Sequence, residues 1–183
     1  MANYLQNTAL PTSEDAPQIY LACLSSYNNG ILFGEWIDAT CDVEDIQEQI
    51  KQLLAKSPMP GAEEFAVHGH SGFGSLGIDE YESLEEIHEK ALFIVEHGEL
   101  GAEVMAHYSA DVEYAKEALE EYYVAEYESE LDYATELFDE LYLHGIPKHI
   151  QGYIDYEKFQ RDIFIDSYFS LDVNGSCHIF RQY

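Results

Sequence analysis

Asp111-Val-Glu-Tyr-Ala-Lys-Glu-Ala-Leu-Glu-Glu-Tyr-Tyr-Val-Ala-Glu-Tyr-Glu-Ser-Glu-Leu-Asp-Tyr-Ala-Thr-Glu-Leu-Phe-Asp-Glu140 carries twelve carboxylates and one base, Lys116. Apolar residues nonetheless recur through it at helical spacing: Val112, Ala115, Leu119 and Tyr122, then Leu131, Ala134, Leu137, Phe138 and Leu141. The stretch therefore predicts packed helices rather than a disordered acidic tail. Its charges are then held in fixed positions, although folding against such self-repulsion costs stability. A patterned negative surface on a rigid scaffold makes the charge pattern itself the candidate working part.

The whole chain shares this balance. Eight Lys plus Arg stand against 36 Asp plus Glu, a formal net charge of −28 over 183 residues. Direct nucleic-acid binding needs a basic face, and none is visible. Anionic membranes are disfavoured for the same reason. The natural partners are basic surfaces, of the kind that normally grip phosphates. Disordered acidic chains are poor in aromatics, whereas 14% of these residues are aromatic and 46% hydrophobic, enough for a core. A halophilic surface is a plainer reading of the same composition. No apolar run reaches the roughly 18 residues that span a bilayer. The first residues show no basic-then-apolar signal pattern. Cys23, Cys41 and Cys177 are widely spaced and odd in number, which fits reduced thiols and a cytoplasmic location.

Outward from the acidic stretch, the sequence predicts an α+β chain of three small units. Residues 1–17 read as a flexible leader. An N-terminal α/β unit, 18–82, holds strands over Gln18–Leu24 and Ile31–Ile37 joined by an Asn28-Asn29-Gly30 turn. A helix capped by Asp42 follows, with Val43, Ile46, Ile50, Leu53 and Leu54 inward. Pro58, Pro60 and Gly61 end it, and a strand over Glu64–His68 leads into a glycine-rich loop, Gly69–Gly77. The central helical unit, 83–123, opens on the capping box Ser83-Leu-Glu-Glu86. Leu84, Ile87, Ala91, Ile94 and Val95 face inward up to a break near Gly98, and helices over 100–107 and 110–123 come next. The C-terminal α/β unit, 124–183, has a helix capped by Ser129, a break at Gly145-Ile146-Pro147 and a helix capped by Asp155. It closes on a hairpin turning at Asn174-Gly175. From Ser57 to Pro147 there are 23 acids and two bases, so the middle of the chain carries most of the field.

Several local patterns suggest chemistry. His68 and His70 stand at alternate strand positions near Glu63 and Glu64, but no second ligand pair with recognisable spacing accompanies them, and ordinary strand histidines are the better reading. Gly69-His-Ser-Gly-Phe-Gly74 lacks both the Lys of a phosphate-binding loop and the final Gly of a nucleophile elbow, since Phe73 stands there. A carboxylate pair for acid–base catalysis needs two different environments in one cleft, and acids this numerous single out no pair. Tyr122, Tyr123, Tyr127, Tyr133, Tyr142, Tyr153 and Tyr156 crowd the acidic region and suit core or half-core sites with the hydroxyl reaching outward.

Read together, several blocks resemble the ArdA antirestriction family. The most specific is Ile19-Tyr-Leu-Ala-Cys-Leu24 followed by Tyr27-Asn-Asn-Gly-Ile-Leu-Phe-Gly-Glu-Trp-Ile37, with its Y-N-x-G and G-x-W. Glu63-Glu-Phe-Ala-Val-His68 is similar to the family's E-E-[WY]-A-I-H, although Gly69-His70 departs from the D-Y that follows there. Ser129-Glu-Leu-Asp-Tyr-Ala-Thr-Glu-Leu137 ends the acidic stretch. Ile146-Pro147, Tyr153-Ile-Asp-Tyr156, Arg161-Asp162 and the hairpin to Phe180 complete the likeness. The blocks run in order over about Ile19–Tyr183, and the leader lies outside them.

The resemblance implies three small domains in a curved rod that dimerises into an arc. It implies no catalysis, cofactor or metal. It implies mimicry of B-form DNA and occupation of the DNA-binding channel of type I restriction–modification enzymes, protecting mobile DNA. The phosphate-mimicking candidates are Glu85, Glu89, Glu96, Glu99, Glu103, Asp111, Glu113, Glu117, Glu120, Glu121, Glu126, Glu128, Glu130, Asp132, Glu136, Asp139 and Glu140. Duplex DNA carries one charge per roughly 1.7 Å, so the net −28 corresponds to at most roughly 48 Å of duplex. Two other classes stay open: a hydrolase using a buried carboxylate pair, which predicts a pocket with perturbed acids, and an acidic interaction or halophilic domain, which predicts acids spread over all faces.

Overall fold

Ile19, Leu21 and Cys23 alternate along β1 (Gln18–Cys23), and all three are buried. In the computed structural model, which describes residues 16–182, this strand is the centre of an antiparallel sheet ordered β2-β1-β3. Its partners are β2 (Gly34–Asp38) and β3 (Phe65–Ser71). The leader expected over residues 1–17 lies almost wholly outside the described residues.

The link between β1 and β2 is longer and more structured than the Asn28-Asn29-Gly30 turn expected. One helical turn, α1 (Leu24–Asn28), follows β1 directly, and β2 begins only at Gly34. The amides of Asn29 and Ile31 donate to the Ser26 carbonyl and that of Gly30 to Tyr27, so the Asn-Gly pair closes a helix end rather than a hairpin. Gly34 is where β2 can start. A Cβ there would meet the Leu21 carbonyl at 2.5 Å and the Tyr20 ring at 2.7 Å.

Helix α2 (Val43–Ala55) packs on β1 and β2 through Ile46, Ile50 and Leu53. Asp42 occupies its N-cap position, but its exposed side chain makes no capping hydrogen bond, contrary to the reading from sequence. Strand β3 runs past His68 to Ser71. The register steps from Tyr20 opposite Gly69 to Leu21 opposite Val67, so His68 is the extra residue of a bulge. Simple alternation between His68 and His70 therefore fails. The glycine-rich loop then serves packing: Gly72, at φ +79°, turns the chain against Pro17, and Phe73 is buried beyond it.

Ser83 and Glu86 form the expected capping box on α3 (Leu84–His107). Ile87, Ala91 and Ile94 are buried along its first part. Gly98, at φ 64° and ψ −154°, breaks the helix, and Leu100, Val104 and Met105 bury the second part. His88 Nδ1 lies 3.0 Å from the Ala39 carbonyl and ties the helix to the end of β2.

The chain divides after Val112 into two compact units. In the second, the single helix expected over 110–123 is instead α4 (Val112–Glu117) followed by a wide π-type turn, Ala118–Tyr122. Tyr123 then starts a strand, β4 (Tyr123–Tyr127), that periodicity did not reveal. It exists by pairing with β6 (Ser176–Arg181), the centre of a second sheet ordered β4-β6-β5, with β5 over Tyr168–Val173. The β5–β6 turn has Asn174 at φ 54° and Gly175 at φ 82°, the left-handed pair of a type I′ hairpin. Between the strands lie α5 (Glu130–Leu141), α6 (Lys148–Gln151) and α7 (Tyr156–Asp166). Ser129 and Asp155 cap α5 and α7 by accepting from the amides of Asp132 and Lys158, as expected.

Aromatic rings join these layers. Tyr133 of α5 is buried, with its ring centre 5.2 Å from Tyr127, 6.3 Å from Phe164 and 5.0 Å from Tyr168. Phe180 is buried between Phe169, stacked at 5.0 Å, and Tyr123 at 5.2 Å.

His178 beside them is buried, with Nδ1 3.1 Å from the Tyr123 hydroxyl. Burial holds its pKa below the usual value, against the opposite pull of Glu126 and Asp172. The folded state thus keeps His178 neutral where the unfolded chain takes up a proton. Its contribution is present above the unfolded pKa of about 6.5 and is lost as pH falls through the folded value. The Tm advantage of the natural protein over His178→Asn is therefore expected to shrink as pH falls from about 7.5 to about 5. Parallel Tm curves would show that His178 accepts its proton in place.

Candidate partner-binding surface

Glu85, Glu89 and Glu96 fall on one stripe of α3, because steps of four and eleven residues bring a helix within about 40° of the same direction. All three are exposed, opposite the buried face of Ile87, Ala91 and Ile94. Beyond the break at Gly98, Glu99 is exposed and Glu103 half-buried. Asp111 is exposed in the turn at Ser109 and Ala110, both with positive φ.

In the second unit the acids follow the elements in turn. Glu113 and Glu117 lie one turn apart on α4, and Glu120 and Glu121 stand on the wide turn; all are exposed. Glu126 is exposed on β4, and Glu128 in the link to α5. On α5, Asp132, Glu136, Asp139 and Glu140 share a stripe of about 100°. At a rise of ~1.5 Å per residue they cover ~12 Å, or ~4 Å per acid. One DNA strand carries a phosphate every ~3.4 Å.

The bases near these acids are engaged with acids. Lys116 Nζ lies 3.0 Å from Glu113, and Lys90 pairs with Glu82, whose side chain is only 8% exposed. Lys158 and Arg161 are interleaved on α7 with Glu157, Asp162 and Asp166, so those exposed acids form a mixed surface rather than a negative stripe.

Three candidates are tied into the fold more closely than sequence suggested. Glu130 is half-buried. One of its oxygens accepts from Gln160 at 2.8 Å on α7 and the other from Ser170 at 2.6 Å on β5. Asp139, also half-buried, accepts from the Tyr156 hydroxyl at 2.6 Å, and Glu117 from Tyr122 at 2.8 Å. The Glu130 partners lie 30 and 40 residues away and leave no local signal.

The other chemistry considered from sequence gains no support. His68 packs edge-on against Tyr27 at 4.6 Å and His70 against Phe73 at 5.9 Å. Among the described residues, no group of three His, Cys, Asp or Glu is placed to hold a metal. The enclosed Glu82 carboxylate is paired with Lys90, and no carboxylate residue among them is fully buried. No helix among them is long and apolar enough to cross a membrane.

No curated protein matches the chain significantly. A family model described as "Antirestriction protein (ArdA)" matches residues 19–177, a span that runs from Ile19 in β1 through β2, β3, the acidic helices and β5 to Cys177 at the start of β6. The chain therefore belongs to the ArdA family of antirestriction proteins.

Proposed function

We propose that the chain mimics B-form DNA and occupies the DNA-binding channel of type I restriction–modification enzymes, so shielding mobile DNA from cleavage. It acts by binding and not by catalysis. The observation that carries this reading is the exposed acids, on α3 in the first unit and on α4 and α5 in the second, set on helices whose buried faces are apolar. Carboxylates so placed stand in for phosphate oxygens toward the Lys and Arg of a DNA-binding cleft. All seventeen acids named from sequence belong to the proposed surface, with Glu130 serving mainly to hold α5 in place.

The proposal includes a homodimer, each chain bearing three small domains (18–82, 83–123 and 124–183). Two copies bring together −28 each, so the interface has to be poor in acids. The segment 141–154 has none and exposes Leu141, Tyr142, Ile150 and Tyr153. Sedimentation equilibrium at micromolar concentration is expected to give the mass of a dimer, and only monomer there would refute that part.

The purified protein is expected to inhibit a type I enzyme stoichiometrically, in competition with duplex DNA. Inhibition should weaken steeply with salt, as the binding of DNA itself does. Non-competitive inhibition, or inhibition indifferent to salt, would sink the reading.

Binding spread over many charges also predicts how mutations act. Exposed ion pairs are worth about 0–1 kcal/mol each, so one change among Glu113, Glu120, Glu121, Glu128, Asp132, Glu136 or Glu140 should cost less than roughly tenfold in affinity. Neutralising all seven together should abolish inhibition and raise Tm by relieving repulsion. A single Glu→Gln variant that is folded and inactive would point to an enzyme instead.

A further inference from the structure

Fifteen tyrosines accompany eight Lys plus Arg in this chain, and the tyrosines of the second unit meet its acids repeatedly. The Tyr122 hydroxyl donates to Glu117 Oε1 at 2.8 Å, and the Tyr156 hydroxyl to Asp139 Oδ1 at 2.6 Å. The Tyr156 ring lies 5.4 Å from Phe138 of α5, which also touches Phe159 at 5.0 Å. The Tyr156 hydroxyl position is thus set by the same packing that holds α5.

We propose that Tyr122 and Tyr156 are positioning residues of the partner-binding surface, their hydroxyls fixing Glu117 and Asp139 in the orientation that a partner's Lys and Arg side chains meet. The inference rests on the DNA-mimic reading given above. Its chemical reason is the difference between a neutral donor and a cation. Lys116, 3.0 Å from Glu113, orients that carboxylate but offsets its charge. A phenol orients a carboxylate and leaves the charge whole. A loose Glu side chain loses rotamer freedom when a partner captures it, and one already held loses less, which favours binding. Tyr156 also remains a donor, because the hydrogen bond to Asp139 holds its pKa above the usual value.

The test is the double substitution Tyr122→Phe and Tyr156→Phe, which keeps the rings and the formal charge. Affinity for a purified type I enzyme is read by displacement of a fluorescent duplex over a salt series, alongside Tm. The expected result is a roughly fivefold or greater loss of affinity, with the salt slope unchanged because the charge count is unchanged. On a background carrying Glu117→Gln and Asp139→Asn, the same Tyr changes should have no further effect on affinity. A purely structural role would lower Tm and leave the affinity of the folded protein intact. Equal affinity of the double variant and the natural protein overturns the proposal, whatever happens to Tm. So does an undiminished effect on the neutralised background. If the natural protein itself fails to displace the duplex, the mimic reading falls and this one with it. Displacement by the natural protein, matched by the Tyr variant, removes this inference alone.

Discussion

Repulsion among 36 carboxylates with eight cations to offset them is the condition every part of this fold has to meet. Ion pairing cannot meet it, because the cations are too few. The chain instead separates charge from core almost completely. Among the described residues the buried positions are apolar or glycine, save for Pro17, Ser26 and His178. Each amphipathic helix turns one face inward, and its acids have only the outer face left. The stripes on α3 and α5 follow from that geometry.

Aromatic packing then supplies the cohesion that charge withholds. In the second unit, rings join helix to sheet and strand to strand: Tyr133 of α5 meets Tyr127, Phe164 and Tyr168, and Phe180 lies between Phe169 and Tyr123 across the sheet. Tyr suits this setting because its ring belongs in a core while its hydroxyl can face a polar boundary. In a surface crowded with acceptors and short of cations, that hydroxyl becomes the available donor. The pairs Tyr122–Glu117 and Tyr156–Asp139 show the outcome.

Features with a local cause were legible in the sequence. The capping box at Ser83, the caps at Ser129 and Asp155, the break at Gly98 and the Asn174-Gly175 hairpin each depend on neighbours within a few residues. Features caused at long range were not. Tyr123-Val-Ala-Glu-Tyr127 continues an acidic helical rhythm and becomes β4 only because β6, some fifty residues later, offers it an edge. His68 leaves the alternation of β3 because β1 is one residue short opposite it. The outward placement of most candidate acids followed from the inward placement of their apolar neighbours. Glu130, half-buried like Glu103 and Asp139, is held by α7 and β5, and no local pattern encodes those partners.

A surface made of carboxylates alone also limits what it can discriminate. In protein–DNA interfaces, phosphate contacts set position and base-edge contacts set sequence. Acids on helix faces can supply the first kind and have nothing of the second. A mimic built this way would compete with every target sequence of a given enzyme equally, and with enzymes that differ only in the sequence they read. The reciprocal constraint falls on the enzyme. Its Lys and Arg that grip phosphate also supply much of its affinity for DNA, so losing them to escape the mimic weakens its hold on its own substrate. Under the proposed mimicry, holding the acids by neutral donors fits the same logic, because the feature to be copied would be charge at fixed spacing, and a cation used to fix the spacing would remove the charge.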